Sequence, residues 1–268
     1  MAIASRRKFV AGVAGLGILG TTGTAIASQP PAESPVEYVD HITEIRDGID
    51  ELRKYAPKLW VEPNELRQTR SDTRGQYGWI AESDSFDVTA YYYWTRYTTQ
   101  RSFLSYFGVD TSLLDSHYLD HEPTIVFVNN DASVDSVVTT GGHHYAFEID
   151  GEWGNLTEDR VTDRRTHVNL NVVRPWNNYT EAPSGIEGAF VEHYGSFGSW
   201  LDLRGTWYRN GRYENTSTEA IEDPFSFYDD GSSDVRTHWW RDGTWDAWVA
   251  RNFYNRRITT AADLRIEE

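Results

Sequence analysis

The residues best suited to chemistry form one short polar cluster in front of an apolar run. Residues 115–122 read Asp-Ser-His-Tyr-Leu-Asp-His-Glu, and the apolar run Pro123–Val128 follows. If a strand begins by Asp120, the carboxylates of Asp120 and Glu122 point to one face, because strand side chains repeat every two residues. His117 could fold back from the loop to join them. Such a group suits Ca²⁺, Mg²⁺ or Mn²⁺; the alternative is an exposed strand entrance with ordinary salt bridges.

Other candidate residues are less tightly grouped. His143 and His144 are adjacent, so in a strand at most one of them faces a given site. The run that starts at His121 begins like the zinc-protease pattern H-E-x-x-H, but Pro123 opposes the required helix and Ile125 replaces the second histidine. The sequence has no G-x-S-x-G elbow and no Gly-rich phosphate loop. Glycosidase chemistry by two distant carboxylates stays open.

The elements that would position these residues are mostly strands. Apolar residues recur every three or four positions from Val39 to Leu52, which predicts an N-terminal amphipathic helix ended by Pro57. Residues 62–77 are polar and indicate turns. Aromatic and β-branched residues indicate strands at 59–61, 86–97, 123–128, 134–140, 145–149 and 168–173, with a hairpin turn at 129–131. The sequence therefore predicts a mainly β fold, a β-sandwich with a few peripheral helices.

Composition narrows the class of protein. The chain has 41 Asp and Glu against 25 Lys and Arg, and a net charge of −16. The acids are spread along the chain, which favours a salt-adapted halophilic surface over an acidic interaction patch and makes nucleic acid an unsuitable partner. The absence of cysteine excludes disulfides, thiol catalysis and thiolate metal sites. The 11 Trp, 16 Tyr and 11 Phe can fill one sandwich core; sugar stacking is the alternative use.

The N-terminus reads as an export signal. Arg6 and Arg7 form a twin-arginine pattern, a weakly apolar stretch follows, and Ala25-Ile26-Ala27 resembles a cleavage site. We therefore expect a signal peptide at 1–27, a disordered spacer at 28–36 and a single domain at 37–268, secreted and without a transmembrane anchor after cleavage. The alternative is a short N-terminal helix. Export makes the sequons candidates for glycosylation, at Asn155, Asn178 and Asn215.

The polar cluster also resembles a known motif. His117-x-x-Asp120-x-Glu122 before an apolar strand is similar to the heptapeptide Gly-His-Arg-His-Asp-Trp-Glu of the necrosis- and ethylene-inducing-like proteins. Ser116 stands in place of the leading Gly, and His121 in place of the Trp. Residues 54–61 resemble the opening strand of that family and of the related vacuolar-protein-sorting-like family. Residues 90–94 resemble its aromatic strand, and 141–145 its histidine-containing turn.

The resemblance implies a β-sandwich with helices at its sides and a divalent metal held by His117, Asp120 and Glu122. The family's further aspartate ligand falls on Gln100 here, so Asp110 or Asp115 would have to replace it. Known members bind sphingolipid head groups and damage plant membranes. Metal binding is carried over to this chain, because the His, Asp and Glu positions match in spacing. Plant toxicity is not carried over, because Gln100 stands at the position of the family's further aspartate ligand.

Three functions follow as hypotheses. The favoured one is a secreted, salt-adapted, divalent-metal-binding β-sandwich that binds a surface glycan or lipid head group, with enzymatic activity left open and disfavoured. The second is a secreted hydrolase of polysaccharide or phosphoester that uses the same metal or a carboxylate pair. The third is a structural cell-surface protein without an active site.

Overall fold

The structure is a computed structural model that describes residues 40–65, 70–101, 103–109, 117–141, 145–202, 223–231, 235–236 and 239, with backbone only at 117–119 and 194. The predicted signal peptide at 1–27 and the spacer at 28–36 lie outside the described residues, as does the Trp-rich segment from 240 onward. Within the described ranges, no helix has the length and apolar character needed to cross a bilayer.

Twelve strands dominate the described chain. In chain order the elements are β1 (Ile42–Arg46), α1 (Ile49–Tyr55), β2 (Lys58–Trp60), β3 (Thr73–Ser83), β4 (Val88–Gln100), the 3₁₀ helix η1 (Phe103–Phe107), β5 (His117–Asn129), β6 (Val134–Gly141), β7 (Tyr145–Asp150), β8 (Leu156–Asp159), β9 (Arg164–Val172), β10 (Tyr179–Glu181), β11 (Ala189–Phe190), β12 (His193–Gly195) and the 3₁₀ helix η2 (Pro224–Phe227). Residues 197–202 are also helical.

The strands form two sheets. The larger sheet has the order β1-β3-β4-β5-β6-β7, and β12 adds to β3 in parallel. The smaller sheet has the order β10-β9-β2-β11, and β8 pairs with β9. The predicted β-sandwich is confirmed, since the fold is mainly β with few helices.

The larger sheet is covered on both faces, which explains the density of aromatic residues in β4. Tyr91, Tyr93 and Tyr97 alternate along β4 toward the inter-sheet core, where they pack with residues of β9 and β10. Tyr92 and Trp94 point to the outer face. Residues of the later chain cover this outer face, among them Trp200, Phe225, Phe227 and Trp239.

Sequence patterning misassigned two segments. The predicted helix over 39–52 is wrong for Ile42–Arg46, which forms β1 and pairs with the end of β3; the helix is confined to Ile49–Tyr55. Ile42 and Ile45 both contact the core, and their spacing of three residues fits a helix as well as an irregular strand. The segment forms a strand because it pairs with β3, which is distant in sequence. The polar segment that predicted turns contains the first part of β3, which starts at Thr73.

Candidate functional site

The two predicted carboxylates lie where the sequence places them. Asp120 and Glu122 are both in β5, opposite Tyr97 and Thr95 of β4. Their even-numbered positions share a face with Val126, which belongs to the inter-sheet core. Asp120 is 5 % exposed and Glu122 is 3 % exposed. The cluster is therefore a buried carboxylate pair at one end of the sandwich, and not an exposed strand entrance.

Asp120 is held by a chain of buried polar groups. The side-chain amide of Asn177 donates to Asp120 Oδ2 at 2.7 Å and to the carbonyl of Thr99 at 2.8 Å. The amide oxygen of Asn177 accepts from Arg174, and the same guanidinium contacts the carboxylate of Glu65. A buried charge needs such partners, because removal from water costs several kcal/mol per ion. The relay thus fixes the orientation of the Asp120 carboxylate.

The loop between β9 and β10 supplies this relay. It contains the cis bond Arg174–Pro175, and Asn177 adopts a left-handed backbone with φ of +63°. Asparagine tolerates that conformation better than most residues. The loop is tied to β4 because the N–H of Arg101 donates to the carbonyl of Pro175 at 3.1 Å. The backbone of the loop is therefore fixed relative to the end of β4, and this places the side-chain amide of Asn177 beside Asp120.

Glu122 accepts a hydrogen bond from a hydroxyl, and two buried tyrosines lie beside the carboxylates. The Thr140 hydroxyl donates to Glu122 Oε2. The hydroxyls of Tyr97 and Tyr179 lie 2.9 Å apart. Burial raises the pKa of both phenols, and the nearby charge of Glu122 raises it further. Both tyrosines therefore stay neutral hydrogen-bonding groups beside the carboxylates.

His117 departs from the sequence prediction. The backbone places it inside β5, paired with Gln100 of β4, and not in a loop. Gln100 itself is buried. The candidates Asp110, Asp115, His143 and His144 lie outside the described residues. Across the described side chains, no group of three or more His, Asp or Glu could hold a metal ion.

His121 belongs to the opposite face. Its ring stacks with Tyr77, with the two ring centroids 6.3 Å apart, and it is buried. Alternation in β5 explains this, since residue 121 lies between the two carboxylates. The cluster that looks continuous in sequence is therefore divided by the sheet.

The sequons have specific placements. Asn178 is 1 % exposed, so a glycan there requires this side chain to leave the interior. The side-chain amide of Asn155 donates to the carbonyls of Ala182, Pro183 and Ile186. Asn215 lies outside the described residues. Glycosylation stays a prediction.

Sequence reasoning missed Asn177, Arg174 and Glu65. Asn177 is 57 residues from Asp120, and Glu65 is 109 residues from Arg174. No local spacing could connect them. The nearest signal is the run Arg174-Pro175-Trp176-Asn177, in which proline and asparagine indicate a turn.

Comparisons with known proteins give structural neighbours only. No family model and no curated protein matches the chain. It is similar to Necrosis and Ethylene inducing Protein 2 from the causal agent of cocoa's Witches Broom disease, with 17 % identity over 71 % of this chain and 86 % of that one, and a TM-score of 0.41. It is also similar to NLPPya in complex with mannosamine, with 10 % identity over 68 % and 93 % of the two chains and a TM-score of 0.40.

A third structure, NLPPya in complex with glucosamine, has 12 % identity over 61 % and 81 % of the two chains and a TM-score of 0.39. At these scores the likeness places no individual residue and assigns no ligand.

Proposed function

We propose that the chain is an exported, salt-adapted β-sandwich that binds a hard divalent cation at Asp120 and Glu122 and uses this end of the sandwich to bind a surface glycan or lipid head group. The observation that carries the proposal is the burial of two carboxylates on one face of β5. Export by the twin-arginine route and salt adaptation are part of the proposal and rest on the sequence.

The donor chemistry fits the proposed ion. Ca²⁺, Mg²⁺ and Mn²⁺ prefer oxygen ligands, and the described site offers the carboxylate oxygens of Asp120 and Glu122. Two like charges on one buried face repel each other, and a cation between them removes that cost. The third predicted ligand, His117, stands at an odd-numbered position of β5, in the alternation of His121 and not of the two carboxylates, so the proposal rests on Asp120 and Glu122. A bound cation would supply positive charge able to attract hydroxyl or phosphate oxygens of a ligand.

The protein's own residues would do the rest. Asn177 orients the Asp120 carboxylate, and Thr140 orients that of Glu122. The neutral phenols of Tyr97 and Tyr179 limit water at the carboxylates, because they fill the space between the sheets. These residues would bind and orient, and none of them is a proposed nucleophile.

Calorimetric titration of metal-free protein with Ca²⁺, Mg²⁺ and Mn²⁺ at molar KCl tests the ion. We expect saturable binding by the wild type and its loss in Asp120→Asn and Glu122→Gln. Saturation at a hundred times the dissociation constant should stabilise the fold by about 2.7 kcal/mol. Glu158→Gln, which removes an exposed strand carboxylate, is the matched control and should bind as the wild type does. Equal uptake by wild type and Asp120→Asn would remove the proposed site.

The ligand is tested separately, with mannosamine and glucosamine as first probes because they are bound in two of the similar structures. Both probes carry a cationic amine that an acidic protein attracts unspecifically, so neutral methyl mannoside is the control. Binding that survives molar KCl and requires the cation would support the proposal. If molar KCl abolishes binding in both the wild type and Asp120→Asn, the binding is unspecific charge attraction and the proposed ligand site is refuted.

A further inference from the structure

A second cluster joins a serine, a histidine and an aspartate. His41 Nδ1 lies 3.0 Å from Ser83 Oγ, and His41 Nε2 lies 3.2 Å from Asp223 Oδ2. One imidazole therefore bridges a hydroxyl and a carboxylate through its two nitrogens. A serine, a histidine and a carboxylate joined in this order activate a serine nucleophile in unrelated folds. There Nε2 faces the hydroxyl and Nδ1 faces the carboxylate, whereas in this cluster the two nitrogens exchange places.

The cluster is remote from the carboxylate pair. Ser83 ends β3, beyond the pair Ala81–Ala90, and Ala90 lies opposite Phe127. Asp120 is seven residues from Phe127 along β5, or roughly 23 Å at the rise of a strand. The two clusters occupy opposite ends of the larger sheet, so they can be tested independently.

Three separate elements build the cluster. Pairing of β1 with β3 sets Ile42 opposite Ser83, so His41 stands just beyond the last paired residue. The N–H of Asp84 donates to the carbonyl of His41 at 3.0 Å and closes this end. Asp223 caps η2, and its Oδ1 accepts from the N–H of Phe225 at 2.9 Å. Its Oδ2 is the oxygen bonded to His41.

Aromatic packing fixes the imidazole plane. The ring of His41 meets Phe86 and Phe225 edge to face, at centroid distances of 5.6 and 5.7 Å. The side chains of His41 and Asp223 are 26 % and 14 % exposed, and Ser83 is half-buried. The carboxylate is therefore the more sheltered partner, while the serine side stays accessible to solvent. That gradient is what a nucleophile needs if a substrate is to reach it.

The hydrogen bonds assign the protons. An ionised Asp223 only accepts, so His41 Nε2 carries the proton and Nδ1 is left as an acceptor. The N–H of Ser85 donates to Ser83 Oγ at 3.0 Å, so the hydroxyl proton of Ser83 is directed to His41 Nδ1. Burial raises the pKa of Asp223, and the bonds from His41 and from backbone N–H groups act in the opposite direction.

We infer that Ser83, His41 and Asp223 form a hydrolytic triad for neutral carboxylic esters, with Ser83 as nucleophile, His41 as general base and Asp223 as the residue that positions it. The charge around the serine selects the substrate class. Asp84 and Asp87 are exposed acids within four residues of Ser83 in the chain, and negative charge near the serine repels phosphoesters and carboxylates. Phe86 beside the imidazole suits a short apolar acyl group.

The reaction balances with water as the only co-reactant. Ser83 Oγ attacks the ester carbonyl while its proton passes to His41 Nδ1, and the electron pair of the C=O bond moves to the former carbonyl oxygen, from which it returns when the leaving group departs. The C–O bond to the alcohol breaks, and the alcohol takes the proton from His41. Water then attacks the acyl-serine and gives a proton to His41. Release of the carboxylic acid returns that proton to Ser83.

A fluorophosphonate probe and p-nitrophenyl acetate test the inference on the full chain, at molar KCl and with EDTA present. EDTA keeps the outcome independent of the proposed cation site. We expect the probe to label Ser83, identified by peptide mass, and steady ester hydrolysis above background. Ser83→Ala should lose both. His41→Gln should lower the hydrolysis rate roughly 10²- to 10⁴-fold, the usual contribution of a general base.

Two further variants separate catalysis from a merely structural contact. Asp223→Asn can donate to His41 Nε2 and so favours the wrong tautomer; it should lower kcat with KM unchanged. Ser184→Ala removes an exposed hydroxyl outside the cluster, so it should label and hydrolyse as the wild type does. Thermal melts report folding for each variant. If the wild type is not labelled, or a different serine is labelled, the triad is refuted and the cluster is a structural contact that joins η2 to β1 and β3.

Discussion

The amide of Asn177 gives the sharpest test of the buried site, because one isosteric change reverses its role. Asn177→Asp keeps the shape and the left-handed backbone but removes both donated hydrogen bonds. The bond to Asp120 is charge-assisted and contributes about 1.5–3 kcal/mol, and the bond to Thr99 about 0.5–1.5 kcal/mol. The new carboxylate would also face Asp120, and two such charges about 4 Å apart repel by about 4 kcal/mol at an effective dielectric constant of ~20. The Arg174 guanidinium, which donates to the other side-chain oxygen of residue 177, offsets part of this repulsion.

Together, the lost hydrogen bonds and the added repulsion are a large fraction of the roughly 5–15 kcal/mol that stabilises a folded domain. We therefore expect Asn177→Asp to be far less stable than the wild type at neutral pH, and less stable than Asn177→Ala, which loses the bonds without adding a charge. Lower pH should narrow the difference, because a protonated carboxyl can donate to Asp120 again. Asn130→Asp, at an exposed turn, controls for the added negative charge.

Urea unfolding at fixed molar KCl with EDTA, repeated from neutral to mildly acidic pH, measures these differences. The expected order at neutral pH is wild type and Asn130→Asp together, then Asn177→Ala, then Asn177→Asp. If Asn177→Asp and Asn177→Ala are equally stable at every pH, Asp120 carries no buried charge. The relay described above would then be a neutral hydrogen-bond network.

Two further predictions concern charge. With a net charge of −16, dilution of KCl from molar to millimolar should lower the melting temperature, because repulsion becomes unscreened; a melting temperature independent of salt would contradict salt adaptation. Burial lowers the pKa of His167, whose Nδ1 lies 3.1 Å from the carbonyl of Ala56. As pH falls, the imidazole of residue 167 is therefore protonated in the unfolded chain before it is protonated in the folded one. The free energy of unfolding should fall below about pH 6.5, by at most about 1.4 kcal/mol per pH unit. Urea titrations should show a flatter pH dependence for His167→Gln.

Much of the sandwich could be predicted from local patterning. Strands β4 to β7 and their hairpin follow from alternating aromatic and β-branched residues, and the common face of Asp120 and Glu122 follows from a spacing of two. Strand β1 could not be predicted, because its apolar spacing also fits a helix and only its pairing with β3 distinguishes the two. The extension of β5 back to His117 depends likewise on pairing with Gln100.

The polar networks were beyond sequence reasoning for a different reason. Asn177 reaches Asp120 across 57 residues, and Asp223 reaches His41 across 182. Contacts of that separation are created by the folded sheet and leave no periodicity in the chain. His41 also sits in a turn, where its neighbours give no indication of a partner.

The two cores of the larger sheet differ in their fluorophores. The outer cluster holds Trp79, Trp94, Trp200 and Trp239. Among the described residues, the inter-sheet cluster holds tyrosines and no tryptophan. Of the two clusters, the outer one therefore carries the indole fluorophores. Detachment of the layer that carries Trp200 and Trp239 should expose those indoles to water and shift part of the tryptophan emission to longer wavelength.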